Sequence, residues 1–84
     1  MTQDEIREAV LRALCAVAPE ADPATLAPDV SLRDQLDVDS MDLLNFVVGI
    51  HERLHVDVPE SDYGQLGTLD EIVAYVGARI PAAA

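Results

Sequence analysis

Apolar residues return at helical spacing in three separate stretches of the chain. Ile6, Ala9, Val10, Ala13, Leu14 and Val17 form the first stripe, the recurrence of an amphipathic helix that turns one face to a core. Thr2 and Glu5 precede it at the spacing of a capping box, in which each side chain accepts from the other residue's backbone N–H. Pro19 closes that helix, because proline lacks an N–H and its ring collides with the preceding turn. Leu43, Phe46, Val47, Ile50 and Leu54 form the second stripe and predict a helix from about Ser40 to His55, with Asp39 as its N-cap and Asp42 behind it. The third stripe is Leu69, Ile72, Val73, Val76 and Ile80, with Tyr75 beside it. It starts at Thr68 and Glu71, a second pair at capping-box spacing, and ends at Pro81 ahead of a frayed tail, residues 81–84.

Between the first two helices the pattern is interrupted but not lost. Pro19, Pro23 and Pro28 break regular structure there, while Leu26, Val30, Leu32 and Leu36 keep returning toward the core. This predicts a long, ordered loop pinned by apolar anchors, with Arg33 and Asp34 in solvent between them. Val58-Pro59 then opens a short helical segment, Glu60 to Leu66, which Gly64 weakens. No strand pattern and no repeat is visible. The fold class is all-α: a small four-helix bundle with a long loop between helices 1 and 2 and a short third helix. One domain spans 1–84, with its ordered core at 3–80.

The second long helix carries more apolar surface than a core requires. Met41, Leu44 and Val48 fall on a separate stripe rotated toward solvent, with His51 and His55 further along the same line. In so small a bundle no further layer covers that stripe, so it reads as a docking ridge for a partner. The competing reading is that the loop before the helix folds over it.

Composition narrows what such a domain can do. Half of the 84 residues are hydrophobic, but only one Phe, two Tyr and no Trp are present, so the core must be built from Leu, Ile, Val and Ala. A substrate cleft would leave little to hold the domain together, which argues against an enzyme. Sixteen Asp and Glu against five arginines and no lysine give a net charge of −11. Such a chain is repelled by nucleic-acid backbones and anionic membranes, and its partners are expected to carry basic patches. Cys15 is the lone cysteine, a small packing residue within the first helix that excludes an internal disulfide. The acidic Met1-Thr2-Gln3-Asp4-Glu5 start lacks signal-peptide character, and no apolar run approaches the ~18 residues of a membrane span. A soluble, cytoplasmic monomer is expected.

Candidate chemistry concentrates at Val38-Asp39-Ser40-Met41-Asp42. Helix capping alone accounts for Asp and Ser here without any function. Ser40, however, falls one position inside the helix, which frees its hydroxyl and sets it where backbone N–H groups favour an attached phosphate. Asp37, Asp39 and Asp42 oppose that phosphate, a conflict that a modifying enzyme with a divalent cation and basic residues relieves.

Other chemistries fit less well. His51-Glu52-Arg53-Leu54-His55 matches the H-E-x-x-H pattern of helical zinc sites, but these are the only two histidines and the domain has no room for a substrate cleft. No metal is expected. A calcium loop beginning at Asp37 fails because Met41, Asp42 and Val48 occupy its ligand, glycine and final glutamate positions. A serine hydrolase fails on reach, since His51 lies roughly 16 Å along the helix from Ser40 at about 1.5 Å per residue.

The segment Leu36-Asp37-Val38-Asp39-Ser40-Met41-Asp42-Leu43 resembles the Leu-Gly-x-Asp-Ser-Leu-Asp/Glu attachment motif of acyl carrier proteins, and the likeness runs from Ile6 to Ile80 through Val58-Pro59 and Thr68-Leu69. The resemblance implies a non-catalytic carrier whose Ser40 receives 4′-phosphopantetheine from coenzyme A through a phosphopantetheinyl transferase. The thiol of that arm then holds acyl groups as thioesters and presents them to acyl-loading and acyl-processing enzymes with basic and apolar docking patches. It further implies that Asp39, Met41, Asp42, Leu44, Val48 and Glu52 meet those partners, and that Phe46, Ile50, Val58, Tyr63 and Leu66 lie near the space that shelters cargo. Tyr63 is bulky for that place, which argues against a deep pocket. The motif's glycine is Asp37 here, and Asn45, His51 and Arg53 stand where fatty-acid carriers place glutamates. These departures point to a specialised fatty-acid, lipid or polyketide-type pathway. An aminoacyl or peptidyl carrier, or a binding module that is never modified, stays open as an alternative.

Overall fold

The computed structural model describes residues 2–80. Those residues form an all-helical structure without a strand: α1 (Gln3–Val17), a short α2 (Leu32–Gln35), α3 (Ser40–Leu54), a 3₁₀ segment (Glu60–Gln65) and α4 (Leu69–Gly77). The tail at 81–84 lies outside the described residues.

The capping signals act as the sequence suggests at two helices and in part at the third. At α1 the Thr2 hydroxyl accepts from Glu5 N and the Glu5 carboxylate accepts from Thr2 N. At α3 Asp39 Oδ1 accepts from Asp42 N at 2.9 Å, with a longer return bond of 3.4 Å to Asp42 Oδ2. At α4 Thr68 caps Glu71 N at 3.1 Å, and the box is half made. The helix α1 packs chiefly on α3 and α4. Ile6, Val10 and Leu14 meet Phe46, Ile50, Leu54, Leu69, Ile72 and Val76 in one core, so burial of aliphatic faces rather than aromatic stacking holds the bundle.

The loop between α1 and α3 departs from expectation in two ways. It contains the extra helical turn α2, and Val30 is 40% exposed rather than returned to the core. Backbone bonds from Asp34 N to Ser31 O and from Leu36 N to Leu32 O make the turn, and Gln35 accounts for Val30. The Gln35 side chain accepts from Ala27 N at 2.7 Å and donates to the carbonyls of Ala27 and Val30 at 2.9 Å. Those bonds fix the 27–30 turn with Val30 outward, while Leu26, Leu32 and Leu36 anchor it. Two backbone bonds, Leu32 N to Gly67 O and Asp70 N to Pro28 O, tie the loop to the start of α4. Arg33 and Asp34 are exposed.

The helix ends also shift slightly. His55 is the left-handed cap of α3, with φ 56, rather than its last turn. The last helix stops at Gly77, short of Pro81, and the N–H groups of Arg79 and Ile80 both turn back to Val76 O. A glycine in the last turn is a weak helix former, at about 1 kcal/mol against alanine. Tyr75, expected beside the buried stripe, is itself buried.

Tyr75 fastens the 3₁₀ segment. Its hydroxyl donates to Asp62 Oδ2 at 2.6 Å, and the Arg79 guanidinium stacks 3.6 Å from its ring centroid. Burial, and then the bond to the Asp62 carboxylate, raise the Tyr75 pKa above the ordinary tyrosine value. The proton is therefore held more tightly in the folded chain, so this stabilisation is full below the ordinary value and is lost as pH climbs through the raised one. Tyr75→Phe is expected to cost about 1.5 kcal/mol, the worth of a hydrogen bond to a charged group. Urea denaturation checks the cost, and faster amide exchange confined to Glu60–Gln65 identifies the segment released.

Candidate functional site

The site is assembled at the head of α3. Because Asp39 supplies the cap, Ser40 is the first residue of the helix and its hydroxyl is spared that duty. The side chain is exposed, and among the described residues it makes no hydrogen bond to another group. A free hydroxyl in the first turn, beside backbone N–H groups with no intrahelical partner, fits an esterified phosphate. Asp37 and Asp39 are exposed and Asp42 half-buried around it, so the surface about the hydroxyl is anionic.

From Ser40 an apolar ridge runs down the outer face of α3. Met41 is 63%, Leu44 44% and Val48 46% exposed, and the preceding loop does not cover them. Glu52 is exposed one turn on. His51 also lies outward, with Nδ1 2.8 Å from Asp57 Oδ1. His55 has left the regular helix, and among the described residues no three His, Cys, Asp or Glu side chains are grouped to hold an ion.

Beside the head of α3 lies a cavity of about 300 Å³, the lower end of the ~300–1,000 Å³ usual for small-ligand sites. Val38 and Leu43, which bracket Ser40, line it together with Phe46, Leu14 and Ile72 from the core and Tyr63, Gly64, Leu66 and Gly67 from the 3₁₀ side. Ser31, Leu32 and Arg33 of the α2 turn close the remaining wall. Of the five residues expected near a cargo space, Phe46, Tyr63 and Leu66 line this cavity. Two residues need correction. Ile50 is 1% exposed inside the core and does not line this cavity, because its stripe faces α1. Val58 lines a separate, shallower groove with Val47, Val48 and His51, because the chain after His55 turns back along α3. Leu32, Arg33, Val38 and Leu43 were missed. Leu32 was readable only as a loop anchor, Leu43 as part of the α3 core stripe and Arg33 as a solvated residue, and none of these signals gave a direction toward the cavity.

Comparison with known proteins agrees with this geometry. The family described as "Phosphopantetheine attachment site" matches residues 5–76. The acyl carrier protein of Thermosynechococcus vestitus is 27% identical over 82 residues, 98% of this chain and 100% of that protein. That of Streptomyces coelicolor is 32% identical over 81 residues, 96% of this chain and 84% of the relative. The solution structure of the acetyl actinorhodin acyl carrier protein from Streptomyces coelicolor superposes with a TM-score of 0.69 at 25% identity, covering 100% of this chain and 95% of that one. With a free serine heading α3, an apolar ridge behind it and a family match over nearly the whole chain, this protein belongs to the acyl carrier protein family, whose cofactor is 4′-phosphopantetheine.

Proposed function

We propose that Ser40 is the attachment point of 4′-phosphopantetheine and that the chain carries acyl groups as thioesters between partner enzymes, without catalysing their chemistry. The observation that carries this is the division of labour at the head of α3: Asp39 caps the helix, which leaves the exposed Ser40 hydroxyl free to react. In the attachment, Ser40 Oγ forms a new bond to the phosphorus of coenzyme A that bears the pantetheine. The nucleotide part leaves, and the serine proton passes to a base of the transferase. Once bound, the arm supplies a thiol that forms and releases thioesters. The chain's own residues position it: the first turn of α3 fixes where it is rooted, and Asp39 and Asp42 face the transferase's cations. Incubation with coenzyme A and a broad-specificity phosphopantetheinyl transferase, followed by intact mass measurement, tests this. One phosphopantetheine per chain supports the carrier, while an unchanged mass leaves only a carrier-shaped binding module.

The ridge of Met41, Leu44 and Val48 is the docking surface in this reading, with Asp39, Asp42 and Glu52 giving it anionic edges. Leu44→Asp or Val48→Asp is expected to leave folding within about 0.5 kcal/mol, since neither side chain is buried. Each should slow loading by the transferase roughly tenfold, as for an apolar contact at an interface centre. If Val48→Asp unfolds the chain in urea titration, the ridge is core and the docking assignment is wrong. A meromycolate extension acyl carrier protein of Mycobacterium bovis is 29% identical over 76 residues, and the actinorhodin acyl carrier protein shares the fold, which supports a specialised fatty-acid, lipid or polyketide-type pathway.

A further inference from the structure

We infer that Ser31, Arg33 and Tyr63 make the cavity beside α3 selective for a short acyl group that carries an acceptor oxygen beyond its thioester. The inference rests on the reading of Ser40 as the root of the arm. Its ground is what lines the cavity and what does not. In a chain with sixteen acidic residues, no Asp or Glu lines this space, yet Arg33 does.

The arginines show how unusual Arg33 is. Arg12 pairs with Glu8 at 2.7 Å, Arg7 approaches Asp70 at 4.0 Å, and Arg79 lies over Tyr75. Arg53 has no ion pair, but it lies in a separate groove beside Glu5 and Glu8. Among the described residues Arg33 makes neither an ion pair nor a hydrogen bond, although Asp34 adjoins it in sequence. Ser31 precedes α2 without a side-chain cap bond. The Tyr63 hydroxyl is equally unengaged, whereas the hydroxyl of Tyr75 is bonded to Asp62.

Three uncommitted polar side chains therefore border a space otherwise walled by groups such as Leu43, Phe46 and Leu66. Arginine only donates hydrogen bonds, and both hydroxyls can donate, so the matching ligand must bring acceptors. A wholly saturated chain would strip water from these groups and return nothing. Size sets a further limit. At roughly 30 Å³ per water-sized group, about 300 Å³ has room for about ten such groups, which excludes a long chain. The cargo class is a short acyl group with a ketone or carboxylate oxygen along it.

The test compares butyryl, acetoacetyl and succinyl groups, which have equal chain length, each loaded from its coenzyme A thioester onto the wild type, Arg33→Met and Tyr63→Phe. Intact mass first reports loading. Amide shifts at Leu32, Leu66 and Gly67, and the rate of thioester cleavage by hydroxylamine, then report sheltering. Acetoacetyl, succinyl or both should cleave roughly threefold to tenfold more slowly on the wild type than on Arg33→Met, the range for a partly solvated charge-assisted hydrogen bond. Butyryl should be indifferent to either substitution. A response to acetoacetyl alone identifies a neutral acceptor, and one to succinyl alone identifies a carboxylate. Full loading with equal cleavage and equal shifts for all three cargoes on all three proteins overturns the selectivity and leaves Ser40 intact as the attachment point. Failure to load at all removes the arm, and this inference falls with it. Arg33 has no partner to lose, so urea denaturation of Arg33→Met should match the wild type; Tyr63→Phe offers a second route if it does not.

Discussion

Ser40→Ala is expected to gain no mass from coenzyme A and a phosphopantetheinyl transferase under conditions in which the wild-type chain gains one arm. The force of this prediction lies in what the substitution leaves alone. The N-cap of α3 belongs to Asp39, whose carboxylate accepts from Asp42 N at 2.9 Å, so removing the serine hydroxyl orphans no backbone group. Alanine is the better helix former in the first turn, by a few tenths of a kcal/mol. The side chain is exposed, and no core contact is lost. Stability should stay within about 0.5 kcal/mol of the wild type, and the far-ultraviolet circular dichroism should be unchanged. A complete loss of loading then reports chemistry and not unfolding. Ser31 and Ser61 remain in the variant as internal controls. Persistent addition of one arm would move the attachment to another hydroxyl, and the cavity flanked by Val38 and Leu43 would lose its link to the arm's root.

The parts of this site that could be read from the chain are those set by neighbours in sequence. Asp39 as cap and Ser40 one step inside follow from short-range hydrogen-bonding preference, and the split of α3 into a core face and an outer ridge follows from its 3.6-residue period. Leu43 shows where that reasoning stops. It was placed with Phe46 and Ile50 on one stripe, but it is only half-buried and borders the cavity, because burial depends on what the neighbouring element leaves open. The α1–α3 loop was legible as ordered but not in shape. Its turn is fixed by Gln35 reaching Ala27, eight positions earlier, and a glutamine carries no signature of such a reach. The Asp62–Tyr75 bond, thirteen positions apart, was invisible for the same reason. Period-based reading sees faces of helices; it does not see which polar side chain bridges two segments.

That distinction decides what Phe46→Ala should do. Phe46 is 2% exposed, and truncating a buried phenylalanine costs about 3–5 kcal/mol through lost transfer energy plus the void left behind. The ring is not enclosed on every side, however. It borders the cavity of about 300 Å³, so part of its surface has no packed neighbour and fewer dispersion contacts are forfeited. The cost should fall near about 3 kcal/mol, still a large share of the roughly 4–12 kcal/mol that a domain of this length holds. In urea the midpoint should drop while the slope stays close to the wild-type value, because the surface exposed on unfolding changes little. Loss of a cooperative transition would mean that Phe46 organises the whole core. A cost below about 1 kcal/mol would mean that the ring already sits loosely in an open space, and the cavity wall on the α3 side would have to be redrawn.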